Sequence, residues 1–208
     1  MSSTTTRAGG APGRAARPSS ASIEAGIVDV AAGLFAAQGL DGTSLQQVAD
    51  AVGYSKTGLL HRFPSKQVLF EAATAQAEQV LHEVLDELAA AAPDLDDGLL
   101  RSVARHAVAH PGLVDLVVSR LSAVPPVEDR LHGLVVRVID QLAPDGTPRR
   151  RLHVVLALQL IVNAVAAQRD GVLDLVLPAD DLVDLAADLA ARVLRDAPGP
   201  APAPSPAA

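Results

Sequence analysis

Between Thr43 and Lys66 the chain reads TSLQQVADAVGYSKTGLLHRFPSK, and few folds accommodate that order of apolar residues and breaks. Leu45, Val48, Ala49 and Val52 recur at i, i+3, i+4 and i+7, which lines them along one side of a helix of about two turns. Gly53-Tyr54 interrupts the pattern, and Ser55 supplies a capping oxygen for a second short helix with Leu59 turned inward. Lys56, Thr57, Gly58, Leu60 and His61 are left for its other faces. Two short helices across a glycine turn make a helix-turn-helix. Pro64 closes the second helix, and Ser65 caps a third that starts at Lys66.

A net charge of −7 would argue against a nucleic-acid partner if it were spread evenly, and it is not. Residues 1–70 hold six Lys or Arg against four acids, a net of +2, which leaves −9 for the remainder of a chain at −7. Both lysines of the chain, Lys56 and Lys66, fall in or beside the motif, where a phosphate backbone needs cations. An Arg- and Ala-rich composition explains why lysine is scarce. It does not explain where the lysines are.

The rest of the sequence reads as helices separated by proline and glycine, so the expected fold class is all-α. Residues 1–19 are Ser, Thr, Gly, Pro and Arg with nothing to bury, and are expected to be a disordered basic arm in which Arg7, Arg14 and Arg17 could follow a minor groove. The stripe Ile27, Ala31, Leu34 and Phe35 predicts a first helix over 22–38, ended by Gly39. The helix from Lys66 carries its stripe to about Ala92, some seven turns. Further helices are predicted at 97–109, 112–124, 127–142, 148–169 and 179–196, with Val172–Leu177 an ambiguous run and an unpacked Ala/Pro tail over 197–208. The expected domains are therefore an arm (1–19), a helix-turn-helix unit (20–66), a larger helical unit (67–196) and the tail. The amino terminus has no apolar run to act as a signal peptide. The span Leu152–Ala167 is interrupted by His153, Gln159 and Asn163 and is too short for a bilayer, so a soluble, cytoplasmic protein without a membrane partner is expected. With no cysteine, disulfides and thiolate metal sites are excluded.

Ile27-Val28, Ala31-Ala32, Leu34-Phe35-Ala36, Gly39, Thr43-Ser44, Val48-Ala49, Gly53, Ser55-Lys56, Leu59 and Phe63-Pro64-Ser65-Lys66, in that order and spacing, resemble the amino-terminal domain of TetR-family transcriptional repressors. Beyond these positions the likeness is one of helical layout alone. On this reading Lys56 and Thr57 reach base edges from the first turn of the second motif helix, and Gly58 lets backbone approach DNA. Thr43, Ser44, Ser55, His61, Arg62 and Lys66 are the phosphate candidates, joined by the Tyr54 hydroxyl. The family commonly has a phosphate-contacting tyrosine where this chain has Leu60. Leucine donates no hydrogen bond, which leaves apolar contact with a thymine methyl, or none.

The last two helices are apolar on more than one side, and a helix with two greasy faces needs two partners. One is its own domain; the other is the same pair of helices in a second copy, which is also where the resembling family dimerises. Val155, Leu158, Val162 and Val165, with Leu182, Leu185, Ala186, Leu189 and Val193, are the expected dimer residues. A two-fold dimer predicts a palindromic operator, with reading helices roughly 34 Å apart.

The resemblance further implies an effector pocket among the middle helices. All four aromatic residues precede residue 71, so its walls should be Leu, Val and Ala. Arg101, Arg105, His106, Arg120, His132, Arg137, Gln159 and Asn163 are the polar candidates for orienting a ligand. The expected effector is aliphatic or compactly apolar, with or without an acidic group paired to one of those arginines. His106 and His110 have the i, i+4 spacing with which two imidazoles can share a metal, but no third ligand is evident, so no metal and no cofactor are expected. Two other classes compete with a ligand-released regulator. One is a DNA-binding dimer whose larger domain serves only as scaffold. The other is a helical enzyme, against which stands the lack of a GxSxG, a phosphate-binding glycine loop or an HExxH.

Overall fold

The computed structural model of the protein describes residues 19–90, 97–122, 129–171 and 176–195. The basic arm, the breaks at Pro93 and Pro125-Pro126, most of the ambiguous run after Gly171 and the Ala/Pro tail lie outside those residues. Among the described residues there are nine helices and no strand: α1 (Ser20–Gly42), α2 (Leu45–Val52), α3 (Lys56–Arg62), α4 (Lys66–Ala90), α5 (Asp97–Ala109), α6 (Pro111–Leu121), α7 (Arg130–Leu142), α8 (Pro148–Arg169) and α9 (Ala179–Arg195). The fold is all-α.

Local chemistry fixes the first four. Gly39 has a φ of 72° and breaks the regular course of α1. Ser44 and Gln47 form a reciprocal capping box on α2, Gln47 N–H to Ser44 Oγ at 3.2 Å and Ser44 N–H to Gln47 Oε1 at 2.8 Å. Gly53 ends α2 in the left-handed region, φ 71°, and its N–H is taken by carbonyls of the last turn. Ser55 Oγ accepts the Gly58 N–H at 3.0 Å to start α3, and Ser65 Oγ accepts the Val68 N–H at 3.2 Å to start α4. Pro111 and Pro148 stand in the first turns of α6 and α8, where a missing N–H costs nothing.

Two apolar clusters hold these helices together. The first joins Phe35 and its neighbours on α1 to Val48, Ala49 and Leu59, the last wholly buried and worth about 1.5–3 kcal/mol by removal from water. It continues through Leu69, Ala73 and Ala77 of α4 to Leu113 and Leu116 of α6. The packing of the head therefore runs well past Lys66. The second cluster gathers α5, α7, α8, α9 and the far half of α4 around Leu142, Val154, Ile161 and Ala190.

Helix α6 is fastened to α1 at its first turn. His110, which precedes it, makes no side-chain cap; Asp29 of α1 does so instead, accepting the Leu113 N–H at 3.0 Å. The backbones touch here because Gly112 carries no side chain: a Cβ on it would lie 1.9 Å from the Asp29 carbonyl oxygen, whereas a Cβ on Gly33 would make ordinary contact with Gly112 Cα at 3.5 Å. On its outer side α6 is held to α8 by the Asp115–Arg169 ion pair.

Helix α8 runs from Pro148 to Arg169, the range expected, so the apolar run is too short for a bilayer but the helix as a whole is not. At 22 residues it is long and apolar enough to cross a membrane by length and composition, as is α1 at 23. Only 22% of the apolar window of α8 is buried within one protomer.

Two outcomes are expected of the α1–α6 junction. Gly112→Ala should destabilise by about 1–3 kcal/mol through overpacking, a fall in Tm of about 2–12 °C for a chain of this length, whereas Gly133→Ala, with nothing within 4 Å of the added carbon, should not. Burial lifts the Asp29 carboxyl above its ordinary 3.8, against the pull of the Leu113 and Gly112 amides. Its contribution to stability is thus full below the unfolded value and is lost as pH rises through the higher folded one. Asp29→Asn keeps an acceptor without the charge, so urea midpoints measured from about pH 4 to 7 should fall less steeply with pH than in the parent; an unchanged slope would refute this.

Candidate functional site

Helix α3 leaves Ser55, Lys56, Thr57, Leu60 and His61 exposed, with Tyr54 and Gly58 half-buried. Lys56 and Leu60 share one ridge, Thr57 and His61 the next. Leu59, on the opposite side, is fully buried and fixes the rotation of the helix. A Cβ on Gly58 would sit 3.2 Å from the capping Ser55 Oγ and 3.7 Å from the Tyr54 ring. Glycine is thus favoured here by the tight fit against the cap itself, whether or not DNA approaches.

The other phosphate candidates divide. Ser44 is exposed, with its oxygen engaged in the capping box. Thr43 is misplaced in the sequence reading: it is 2% exposed, and its hydroxyl donates to the Gly39 carbonyl at 2.8 Å, closing the α1–α2 turn. The Arg62 guanidinium turns back onto α1, paired with Glu24 and bonded to Ser20 Oγ at 3.0 Å, so its charge is largely spent inside the head. Lys66 Nζ donates to the carbonyls of Thr43 at 3.1 Å and Asp41 at 3.3 Å. That leaves one of its three N–H donors and an unneutralised charge beside the turn.

A cavity of about 350 Å³ lies between α4, α5, α6, α7 and α8. Its walls are Val, Leu, Ile and Ala, as expected, with His106, His110 and Gln159 the polar side chains. Of the eight polar candidates, only His106 and Gln159 line it. Arg101 is drawn to Asp184 of α9 at 2.6 Å; Arg105, Arg137 and Asn163 are exposed. Arg120 pairs with Asp129 at 3.1 Å and lies over the Phe70 ring, beside α4, and His132 buries an unpartnered Nδ1 elsewhere on α7. The arginine-paired acidic ligand therefore loses its footing: among the described residues no arginine lines the cavity. His110 was a missed wall residue, and its pairing with His106 by spacing was the available signal. Among the described residues no three His, Asp or Glu side chains converge as metal ligands.

Behind His106 stands a polar cluster that sequence could not bring together. His106 Nε2 is 3.4 Å from Glu87 Oε1, and the other Glu87 oxygen accepts the hydroxyl of buried Ser102. The Ser102 hydrogen bond, then the contact with His106, draws the Glu87 carboxyl below its usual range despite some burial.

The expected dimer residues also divide. Val165, Leu182 and Ala186 are buried within the protomer, and Val155, Leu158 and Val162 line the cavity. Leu185 and Leu189 of α9 are exposed, with Val193 half-buried beside them. On α8 the exposed apolar residues are Leu152 (56%), Leu156 (50%) and Val155, the first two absent from the sequence prediction. Periodicity shows that α8 has two apolar sides but not which one faces out.

A family profile described as bacterial regulatory proteins, tetR family, matches residues 27–73, from the buried stripe of α1 through α3 into α4. The tetR-family match falls on the amino-terminal head. The HTH-type transcriptional regulator RutR of Escherichia coli K12 is 40% identical over 74 residues, 36% of this chain and 31% of RutR, and RutR of Shigella flexneri gives the same figures. The chain thus matches about a third of the length of these relatives, which are named as transcriptional regulators. Among solved structures it is similar to a transcriptional regulator of the TetR/AcrR family from Thermobifida fusca, at 19% identity over 80% of this chain and 95% of that one, with a TM-score of 0.36. In the tetR-family head, α2 and α3 are the helix-turn-helix, and the family profile extends past Lys66 just as the head's core does.

Proposed function

We propose that the protein is a cytoplasmic transcriptional repressor that binds a palindromic operator as a homodimer and is released by a small apolar effector. The observation that carries this reading is a tetR-family head joined, through one helix, to an apolar cavity. Helix α6 supplies cavity wall at Leu113, Val114 and Val117 and at the same time presses its first turn on α1 through Gly112 and Asp29. A ligand that favours another setting of α6 shifts the head with it, and lowers DNA affinity by its differential affinity for the two settings. The sequence suggests α4 as the mechanical link. Packing adds α6, which touches the head more directly.

The cavity also favours this reading over a scaffold without an effector. An apolar recess of this size between α4 and α8 leaves apolar wall in contact with water, which a pure scaffold would be better off filling. For the dimer, the exposed Leu152 and Leu156 of α8 and Leu185 and Leu189 of α9 give each protomer a two-helix apolar face. Pairing such faces about a two-fold axis buries four helices.

Three measurements test the proposal. Selection from random duplexes should return an inverted repeat, and Lys56→Ala should weaken binding to it more than to random DNA. Lys66→Ala should weaken both and reduce the salt slope by about one, with some loss of stability from its two carbonyl partners; equal losses of specificity from the two variants would reverse the roles assigned. Leu185→Glu combined with Leu156→Glu should give folded monomers by analytical ultracentrifugation that lose operator binding. A dimer surviving both changes would place the interface elsewhere.

A further inference from the structure

We infer that the cavity takes a saturated, uncharged molecule of about ten non-hydrogen atoms bearing one hydroxyl, and that it holds this molecule by accepting the hydroxyl proton on His106. The inference deepens the proposed function by naming the effector class, and rests on that reading only for its biological use.

Size comes first. At the roughly 30 Å³ that a water molecule occupies in its liquid, a cavity of about 350 Å³ admits about ten such atoms at incomplete filling. The walls come second. Among the described residues no arginine, lysine, carboxylate, phenyl or phenol side chain lines it, so an ionic group finds no counter-charge and a flat ring no aromatic face there.

The polar end decides the head group. Glu87, drawn toward its ionised form, accepts from Ser102 and stands 3.4 Å from His106 Nε2. A carboxylate only accepts, so Nε2 is the nitrogen that carries the proton, and in the neutral ring Nδ1 is left as an acceptor. Gln159 spends an N–H on Asn163 Oδ1 at 3.0 Å and keeps its carbonyl oxygen. The backbone His110 N–H donates to the His106 carbonyl at 3.0 Å, and both side chains line the cavity; a neutral His110 ring carries one N–H, which a hydroxyl oxygen can accept. A hydroxyl both donates to His106 and accepts from His110. A ketone only accepts and leaves His106 unpaired; a carboxylate does the same and adds a second negative charge beside Glu87. An acceptor left buried without a donor costs about 1–3 kcal/mol, roughly tenfold or more in affinity.

Calorimetric titration and thermal shift of the full-length protein with 1-nonanol, 2-nonanone, nonanoate and 2-naphthol give the test. 1-Nonanol should bind at least tenfold more tightly than the other three. His106→Leu should bring it to the level of 2-nonanone, and Gly133→Ala, outside the cavity lining and with open space for the added carbon, should leave the ranking unchanged. Nonanoate or the ketone binding as well as the alcohol, a preference surviving His106→Leu, or no binding by any of the four would overturn the inference. If His106→Leu does not fold, the ranking on the unaltered protein decides alone. Binding is read without DNA, so 1-nonanol that binds with the expected ranking yet fails to release operator upholds this assignment while rejecting the regulatory one.

Discussion

The contact on which the arrangement depends is the place where α6 meets α1 without side chains between them. Gly112 lets the first turn of α6 rest against the Asp29 carbonyl, and the Asp29 carboxylate caps the amides that this turn would otherwise leave unpaired. The two features require each other. Without the glycine the helices stand too far apart for the cap, and without the cap a half-buried helix start has no acceptor. Burial raises the cost of the Asp29 charge and the amides of α6 offset part of it. The result is a stiff joint between a helix of the head and a helix of the cavity wall.

The charge distribution follows the same division. The head spends its cations carefully: Arg62 is tied to Glu24 and Lys66 to two carbonyls, which hold α1, the α1–α2 turn and α4 in register. Lys56 sits exposed in the first turn of α3. The body pairs its arginines with its own acids, as at Arg101–Asp184, Arg151–Asp140 and Arg169–Asp115. An acidic body repels phosphate, so on the proposed reading DNA is left the head as its one attractive surface.

How much of this could be read from residues alone depended on the range of the interaction. The capping box at Ser44 and Gln47, the caps at Ser55 and Ser65 and the left-handed Gly53 are contacts within a few residues, and the apolar spacing around them fixed both helices of the motif. Thr43 was misread because its partners, the carbonyls of Leu34 and Gly39, come from the preceding helix. The same limit explains the cavity. Arg101, Arg120 and Arg137 are as polar as His106, and only the folding of α5 through α9 decides which of them faces inward. Glycine at 112 carried no local signal at all, since Asp29 lies on another helix.

Helix α8 shows why composition alone misjudges such a segment. Its apolar length would suit a bilayer, yet Val154, Ala157, Ile161 and Val165 are buried in the body while Leu152 and Leu156 face out. The outer face also carries Gln159 and Asn163, bonded to each other at 3.0 Å. In hydrocarbon that pair would leave amide groups unsatisfied at a cost of several kcal/mol. Against a second copy it costs little, because a two-fold contact brings the partner's equivalent amides or a trapped water within reach. An apolar stripe interrupted by two amides is thus better suited to protein than to lipid. The rim of the cavity at Val155 and Gln159 borders this same face, so on the proposed reading pairing of protomers and occupation of the cavity would act on one helix.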